Sequence, residues 1–177
     1  MKKMKFVAIA ACLALSAGLI AGCSSNSGSG SSSSSNQQSE QQADKAPTGD
    51  VEMSYISVDD VKAAVDAKDE NVVLVDVRKA ADYEAGHIPG SINADMDAAK
   101  GGDTESGIEN MKAALKEATG DETGAGEELV LICYSGKSYA QAGTNALSAI
   151  GAEMDNVKTL EGGMKAWDGK YADVKEA

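Results

Sequence analysis

The sequence predicts an α/β fold, a mostly parallel central sheet with helices on both faces. Two observations carry this. Asn71-Val72-Val73-Leu74-Val75 and Leu129-Val130-Leu131-Ile132 are almost unbroken apolar runs. Strands buried on both faces have this composition, and they belong to parallel sheets covered by helices on each side. Between the runs lie segments whose apolar residues recur at helical spacing, so strand and helix alternate.

Each element follows in order. Tyr55-Ile56 predicts a short first strand. Ser57 is placed to cap a helix, with Asp60 as the acceptor of a capping box; Val58, Val61 and Val65 share that helix's apolar face. The first apolar run is the next strand. Ala80 to Ala85 predicts a short helix ahead of Gly86, Pro89-Gly90 a turn, and Ser91 to Ala94 a short strand. Ile108, Met111, Leu115 and Ala118 lie along one helical face, with residues 101–106 and 121–128 read as solvated loops around it. The second apolar run follows. Ala142, Ala146, Leu147 and Ile150 then mark a helix ending near Gly151. Val157 to Leu160 predicts the last strand, and a short helix runs through Trp167, read as a core residue.

The N-terminal part is read as lying outside this domain. In residues 1–22, Lys2, Lys3 and Lys5 precede an uncharged run from Phe6 to Gly22 that ends in small residues, the layout of an export signal. The run is short for a membrane span. Ile20-Ala21-Gly22-Cys23 resembles the lipobox of bacterial lipoproteins, which implies cleavage before Cys23 and lipidation of its sulfur. The expected location is the cell envelope, anchored on the extracytoplasmic side of a bacterial membrane. Residues 23–50 then form a tether: ten of the sixteen residues from Ser24 to Ser39 are Ser. Such a composition buries too little apolar surface to order itself. As a flexible coil it reaches about 28 Å on average. Residues 51–177 are the domain, at a single-domain length.

Charge excludes several functions. The chain carries 28 Asp+Glu against 16 Lys+Arg, a net charge of −12, and loss of Lys2, Lys3 and Lys5 with the signal would take it to −15. Nucleic acid, which needs a basic face, is excluded as a partner. Electrostatic docking on an anionic bilayer is excluded likewise. Arg78 is the only arginine, so chemistry that needs two has no support. Nothing points to an obligate dimer, and a monomer is expected.

Cysteine counting picks out the chemistry. Cys12 leaves with the signal and Cys23 becomes a thioether, so Cys133 alone keeps a thiol. A free cysteine is by default a small buried hydrophobe. Cys133, however, closes an apolar strand, and Tyr134-Ser135-Gly136-Lys137-Ser138 lead from it into a helix. A short loop entering a helix N-terminus aims backbone N–H groups at the sulfur. The helix dipole and Lys137 favour thiolate, and Gly136 permits the positive φ of a tight cradle. In parallel sheets, ligands gather beyond the carboxyl ends of the strands. Asp76-Val77-Arg78, the Cys133 loop and Glu161-Gly162-Gly163 all fall there.

These residues resemble the rhodanese family of sulfurtransferases. Its signatures correspond to Leu74-Val75-Asp76-Val77-Arg78, to the stretch from Glu84 to Asn93, to the loop from Cys133 to Ser138, and to the stretch from Leu160 to Trp167, in the family's order. The resemblance implies a rhodanese-like fold and a sulfur transfer in two steps. Cys133 takes a sulfane sulfur from a donor such as thiosulfate or polysulfide. The resulting persulfide passes it to a thiol or cyanide acceptor. It implies loop amides from Tyr134 to Ser138 around the persulfide, no cofactor and no metal. Asp76 and Arg78 are expected to brace the site as a buried pair, with Asp76, Glu84 or a loop carbonyl as partners of Arg78. His87, the sole histidine, is expected to be structural, and Tyr134 to shape the pocket mouth. Ser138 stands where many relatives have arginine, which leaves Lys137 as the loop's only cation and argues for weak thiosulfate binding. Related phosphatases and arsenate reductases need an arginine at 139, where this chain has Tyr139. The other reading is a module that carries sulfur or senses redox state without turnover.

Overall fold

The computed structural model describes residues 49–177. The signal, Cys23 and nearly all of the tether lie outside the described residues. Five strands form one sheet in the order β1-β5-β4-β2-β3: β1 (Tyr55–Ile56), β2 (Val72–Asp76), β3 (Ile92–Asn93), β4 (Glu128–Ile132) and β5 (Val157–Leu160). Every pairing is parallel, with Leu74 opposite Val130 and Leu129 opposite Val157. The helices are α1 (Val58–Ala67), α2 (Ala80–Glu84), α3 (Asp97–Lys100), α4 (Thr104–Thr119), α5 (Ser138–Ala149) and α6 (Gly163–Tyr171).

Strand alternation splits the core into two layers. Val75, Leu129 and Leu131 pack with Ile108, Met111 and Leu115 of α4 and Leu147 of α5. Leu74, Val130, Ile132 and Leu160 face the opposite way, onto Val61 of α1 and Met164 and Trp167 of α6. Adjacent residues of β2 and β4 thus serve different faces, which is why both strands are apolar at nearly every position. Trp167 is fully buried, and its indole N–H donates to the carbonyl of Val174, 3.0 Å away. This bond ties the C-terminal tail to the domain and satisfies the one polar atom of a large buried ring.

Most element expectations hold, with shifts at the ends. Ser57 caps α1, accepting from the Asp60 amide at 3.2 Å while its hydroxyl donates to the Asp60 carboxylate at 2.6 Å. The strand read at Asn71 to Val75 sits one residue later, and β3 is only Ile92–Asn93. The acidic stretch read as a loop over residues 101–106 needs correction. Asp103 accepts from the Ser106 amide at 3.2 Å and caps α4, so Thr104 to Ser106 are already helical. The loop read through Glu128 ends one residue early, because Glu128 pairs with Val72 at the start of β4. The one-turn α3 has too few residues to show a periodicity and was not anticipated. α6 runs to Tyr171, beyond Trp167.

Candidate active site

β4 ends at Ile132, and the chain turns at once through Cys133, Tyr134, Ser135, Gly136 and Lys137 into α5. Cys133 is 2% exposed and is the free cysteine among the described residues. Its sulfur accepts the Gly136 amide at 3.1 Å. That bond closes the loop on itself, and Gly136 has φ +69°, the left-handed conformation such closure needs. A side chain there would also collide, since a Cβ would stand 2.9 Å from the Leu160 carbonyl oxygen.

The loop is held from outside by the start of α6. The Met164 amide donates to the Cys133 carbonyl at 2.7 Å, and the Lys165 amide to the Tyr134 carbonyl at 3.1 Å. Such close approach of two backbones requires Gly163, where a Cβ would collide with the loop; Gly162 and Gly163 are both at positive φ. The last polar segment at the strand ends is thereby joined to the loop, as expected from topology. The first turn of α5 is anchored by the Gln141 amide donating to the Lys137 carbonyl at 2.8 Å.

Asp76 and Arg78 form the support beneath. Arg78 donates from Nε to both Asp76 oxygens at 3.0 Å and from Nη2 to one at 2.6 Å. Nη2 also donates to the Gly86 carbonyl at 2.8 Å. Glu84, one of the partners considered, is not bonded to it in the structure; Asp76 and the Gly86 carbonyl are. Asp76 is fully buried and Arg78 is 7% exposed. Burial works against the guanidinium charge, but the Asp76 bonds and charge outweigh it and raise its pKa. Asn93 completes the corner, donating to the backbone carbonyls of Asp76 and Arg78 at 2.8 and 3.0 Å.

Tyr134 lies over this corner. Its ring centroid is 5.9 Å from the Arg78 guanidinium carbon, and its hydroxyl donates to the Asp82 carboxylate on α2. Burial and the Asp82 bond push its phenol up to about 12. Tyr139 meets it edge to face at 5.0 Å and donates to Asp97 on α3. Burial and the Asp97 bond raise the Tyr139 pKa too. The two rings and two carboxylates pin the Cys133 loop and first turn of α5 to α2 and α3. The sequence singled out Tyr134, but not Tyr139, Asp82 or Asp97. These partners belong to separate helices, and no local pattern joins them.

Ser135, Lys137 and Ser138 are exposed around the buried sulfur and Gly136. His87 is placed elsewhere. It stacks on Tyr83 at 3.9 Å, and its backbone pairs with Glu176 of the C-terminal tail.

A buried thiol in an amide-closed loop, set at the carboxyl edge of a parallel sheet over an arginine–aspartate pair, defines a cysteine-centred site. The family model described as rhodanese-like domain matches residues 57–170, and the chain belongs to that family. Two similar proteins are the thiosulfate sulfurtransferases GlpE of Pseudoalteromonas translucida and of Pseudomonas savastanoi pv. phaseolicola. The chain is 29% identical to the first over 109 residues, 60% of this chain and 83% of that protein. It is 29% identical to the second over 106 residues, 60% and 81%. Among solved structures, an uncharacterised Saccharomyces cerevisiae protein superposes with a TM-score of 0.52 at 29% identity, covering 70% of this chain and 97% of that one. The BH2092 protein of Bacillus halodurans shares the fold, with a TM-score of 0.50 at 19% identity over 66% and 72%. The likeness to proteins named sulfurtransferases supports the same broad family for this chain.

Proposed function

We propose that this protein is a rhodanese-type sulfurtransferase that works through a Cys133 persulfide. The observation that carries the reading is the Gly136 amide donating to the Cys133 sulfur at 3.1 Å. An N–H donor already aimed at the sulfur stabilises the thiolate that attacks the donor. In the first step the Cys133 thiolate attacks the outer sulfur of a donor such as thiosulfate or polysulfide. The donor's sulfur–sulfur bond breaks, and its electron pair leaves with sulfite or the shortened chain. In the second step cyanide or a thiolate attacks the outer persulfide sulfur, and Cys133 recovers its electron pair as thiolate. No net oxidant is needed. Lys137 offers the donor a point charge rather than a two-pronged grip.

The lipobox resemblance extends the proposal to place. Cys23 carries the lipid, and the domain works on the extracytoplasmic side of a bacterial membrane, as a monomer on its tether. Mass spectrometry of the mature N-terminus should find a diacylglyceryl group on Cys23; an unmodified Cys23 in the membrane-bound protein would contradict the anchor.

The activity is tested with Cys133→Ser. Transfer of sulfur from thiosulfate or polysulfide to cyanide should be lost while circular dichroism and thermal unfolding stay unchanged. Full transfer by a folded Cys133→Ser protein would overturn the reading. A wild-type protein that loads sulfur but passes it to no small acceptor would favour a carrier module instead.

A further inference from the structure

Residues 172–177 follow α6 and lie beyond residues 57–170, the stretch that the family model matches. The Trp167 indole N–H holds this segment to the domain through the Val174 carbonyl at 3.0 Å. Lys175 pairs with Asp168 of α6 at 3.0 Å. Glu176 then forms an isolated antiparallel bridge with His87. The His87 amide donates to the Glu176 carbonyl at 2.8 Å, and the Glu176 amide to the His87 carbonyl at 2.9 Å.

This bridge grips the peptide unit that Arg78 uses. Gly86 and His87 share one planar trans peptide, so the Gly86 C=O and the His87 N–H are opposite ends of a single rigid unit. Arg78 Nη2 donates to one end at 2.8 Å, and the Glu176 carbonyl accepts from the other at 2.8 Å. The two bonds run in series, and each strengthens the other by polarising the amide between them. Other holds on this unit are weaker. It lies between α2 and β3, with Gly86 at φ +153°, where residues with side chains rarely settle. The His87 ring and its Nδ1 rest on Tyr83 of α2. α2 itself buries none of its five residues and has no side-chain cap. Ile88 anchors its own side chain in the core, but that does not orient the peptide before His87.

We infer that residues 174–176 are a positioning strap for the sulfur-transfer site. They orient the Gly86–His87 peptide, which holds the Arg78 guanidinium. Arg78 in turn lies 5.9 Å from the centroid of the Tyr134 ring, and Tyr134 is the residue after Cys133. The inference rests on the sulfurtransferase reading and adds positioning residues to it, from a segment outside the family match. Without the strap Arg78 keeps its bonds to Asp76, but Nη2 loses a fixed second acceptor. The Tyr134 side of the loop then loses its fixed support, and the Cys133 thiolate is less often in line with the donor's sulfur–sulfur bond.

The test uses the full-length chain and three changes: removal of residues 176–177, Glu176→Pro and Tyr134→Leu. Removal of 176–177 takes away both backbone bonds to His87 and leaves the Trp167 and Asp168 contacts. Glu176→Pro takes away only the N–H that donates to the His87 carbonyl, and it decides the matter if the shorter chain does not fold. The rate at which Cys133 loads sulfur from thiosulfate or polysulfide is followed by intact mass, well below the unfolding temperature. The inference predicts that removal of 176–177 slows loading of the folded protein about tenfold and Glu176→Pro about threefold, within what a small misplacement at a distance costs. Tyr134→Leu removes the ring over Arg78. In that background removal of 176–177 should slow loading by less than about twofold more, because both changes cut the same chain of contacts. A strap that only stabilises the fold would lower Tm and leave the loading rate native, or would act in full in the Tyr134→Leu background. Either result would overturn the inference and leave the sulfurtransferase reading standing. A wild type that loads sulfur from neither donor would overturn both.

Discussion

Gly163 lies against the backbone of Cys133 so closely that a Cβ on it would stand 2.3 Å from the Cys133 carbonyl oxygen and 2.7 Å from the Ser135 amide nitrogen. The first turn of α6 is thus the outer wall of the Cys133 loop. The contact explains the glycine at 163, where the backbones must approach without a side chain between them, while at Gly162 a Cβ would stand 2.7 Å from that of Ala166.

Gly163→Ala should therefore destabilise the fold and deform the loop together. Neither colliding atom is the end of a flexible side chain, so the backbone must move. Overpacking of this kind, added to the strain of a positive φ, costs about 3 kcal/mol. Thermal unfolding should shift down by roughly 10 °C, with sulfur loading of the remaining folded protein reduced. A variant with native Tm and native loading would show that the loop does not depend on this wall.

Asp76→Asn should be more damaging than any exposed charge change. It removes the charge partner of Arg78, which then stays buried against the Gly86 carbonyl alone. Breaking a buried pair by removing one member costs about 3–5 kcal/mol. Chemical denaturation of Asp76→Asn should show a loss in that range. By contrast Lys62→Ala, at the exposed pair with Asp66, should change stability by under about 1 kcal/mol. Equal effects would contradict the assigned support role of the buried pair.

Tyr134 gives a pH signature. Its folded pKa is raised from 10.0 to about 12, first by burial and then by the bond to Asp82. A raised acid favours its protonated form in the fold. The contribution is fully present below the unfolded value near 10 and is lost as pH rises through about 12. In ultraviolet titration, the difference between wild type and Tyr134→Phe should show phenolate appearing near pH 12. A difference centred near pH 10 would mean that the hydroxyl is free in solution.

Much of this was legible in the sequence, and the reasons are local. Two apolar runs, at β2 and β4, announced a sheet covered on both faces, because only such strands dispense with polar alternation. Ser57 announced its helix through a capping bond three residues long. The loop from Cys133 to Ser138 was legible because strand, nucleophile, glycine and helix start are adjacent in the chain. What stayed hidden depends on distant contacts. α3 is a single turn, and the start of α4 was masked by Asp103, which reads as solvated charge until its bond to Ser106 is seen. Tyr139, Asp82 and Asp97 come to the loop from three helices. The choice of Asp76 and Gly86, not Glu84, as partners of Arg78 was set by the turn after α2, which buries one carbonyl and leaves Glu84 exposed.

The central claim is the Cys133 persulfide, and intact mass measures it most directly. The purified protein is weighed before and after thiosulfate or polysulfide, with Cys133→Ser alongside. The account predicts a gain of one sulfur atom on the wild type, removed by cyanide and absent from Cys133→Ser. No gain with either donor, or an equal gain on Cys133→Ser, would contradict it.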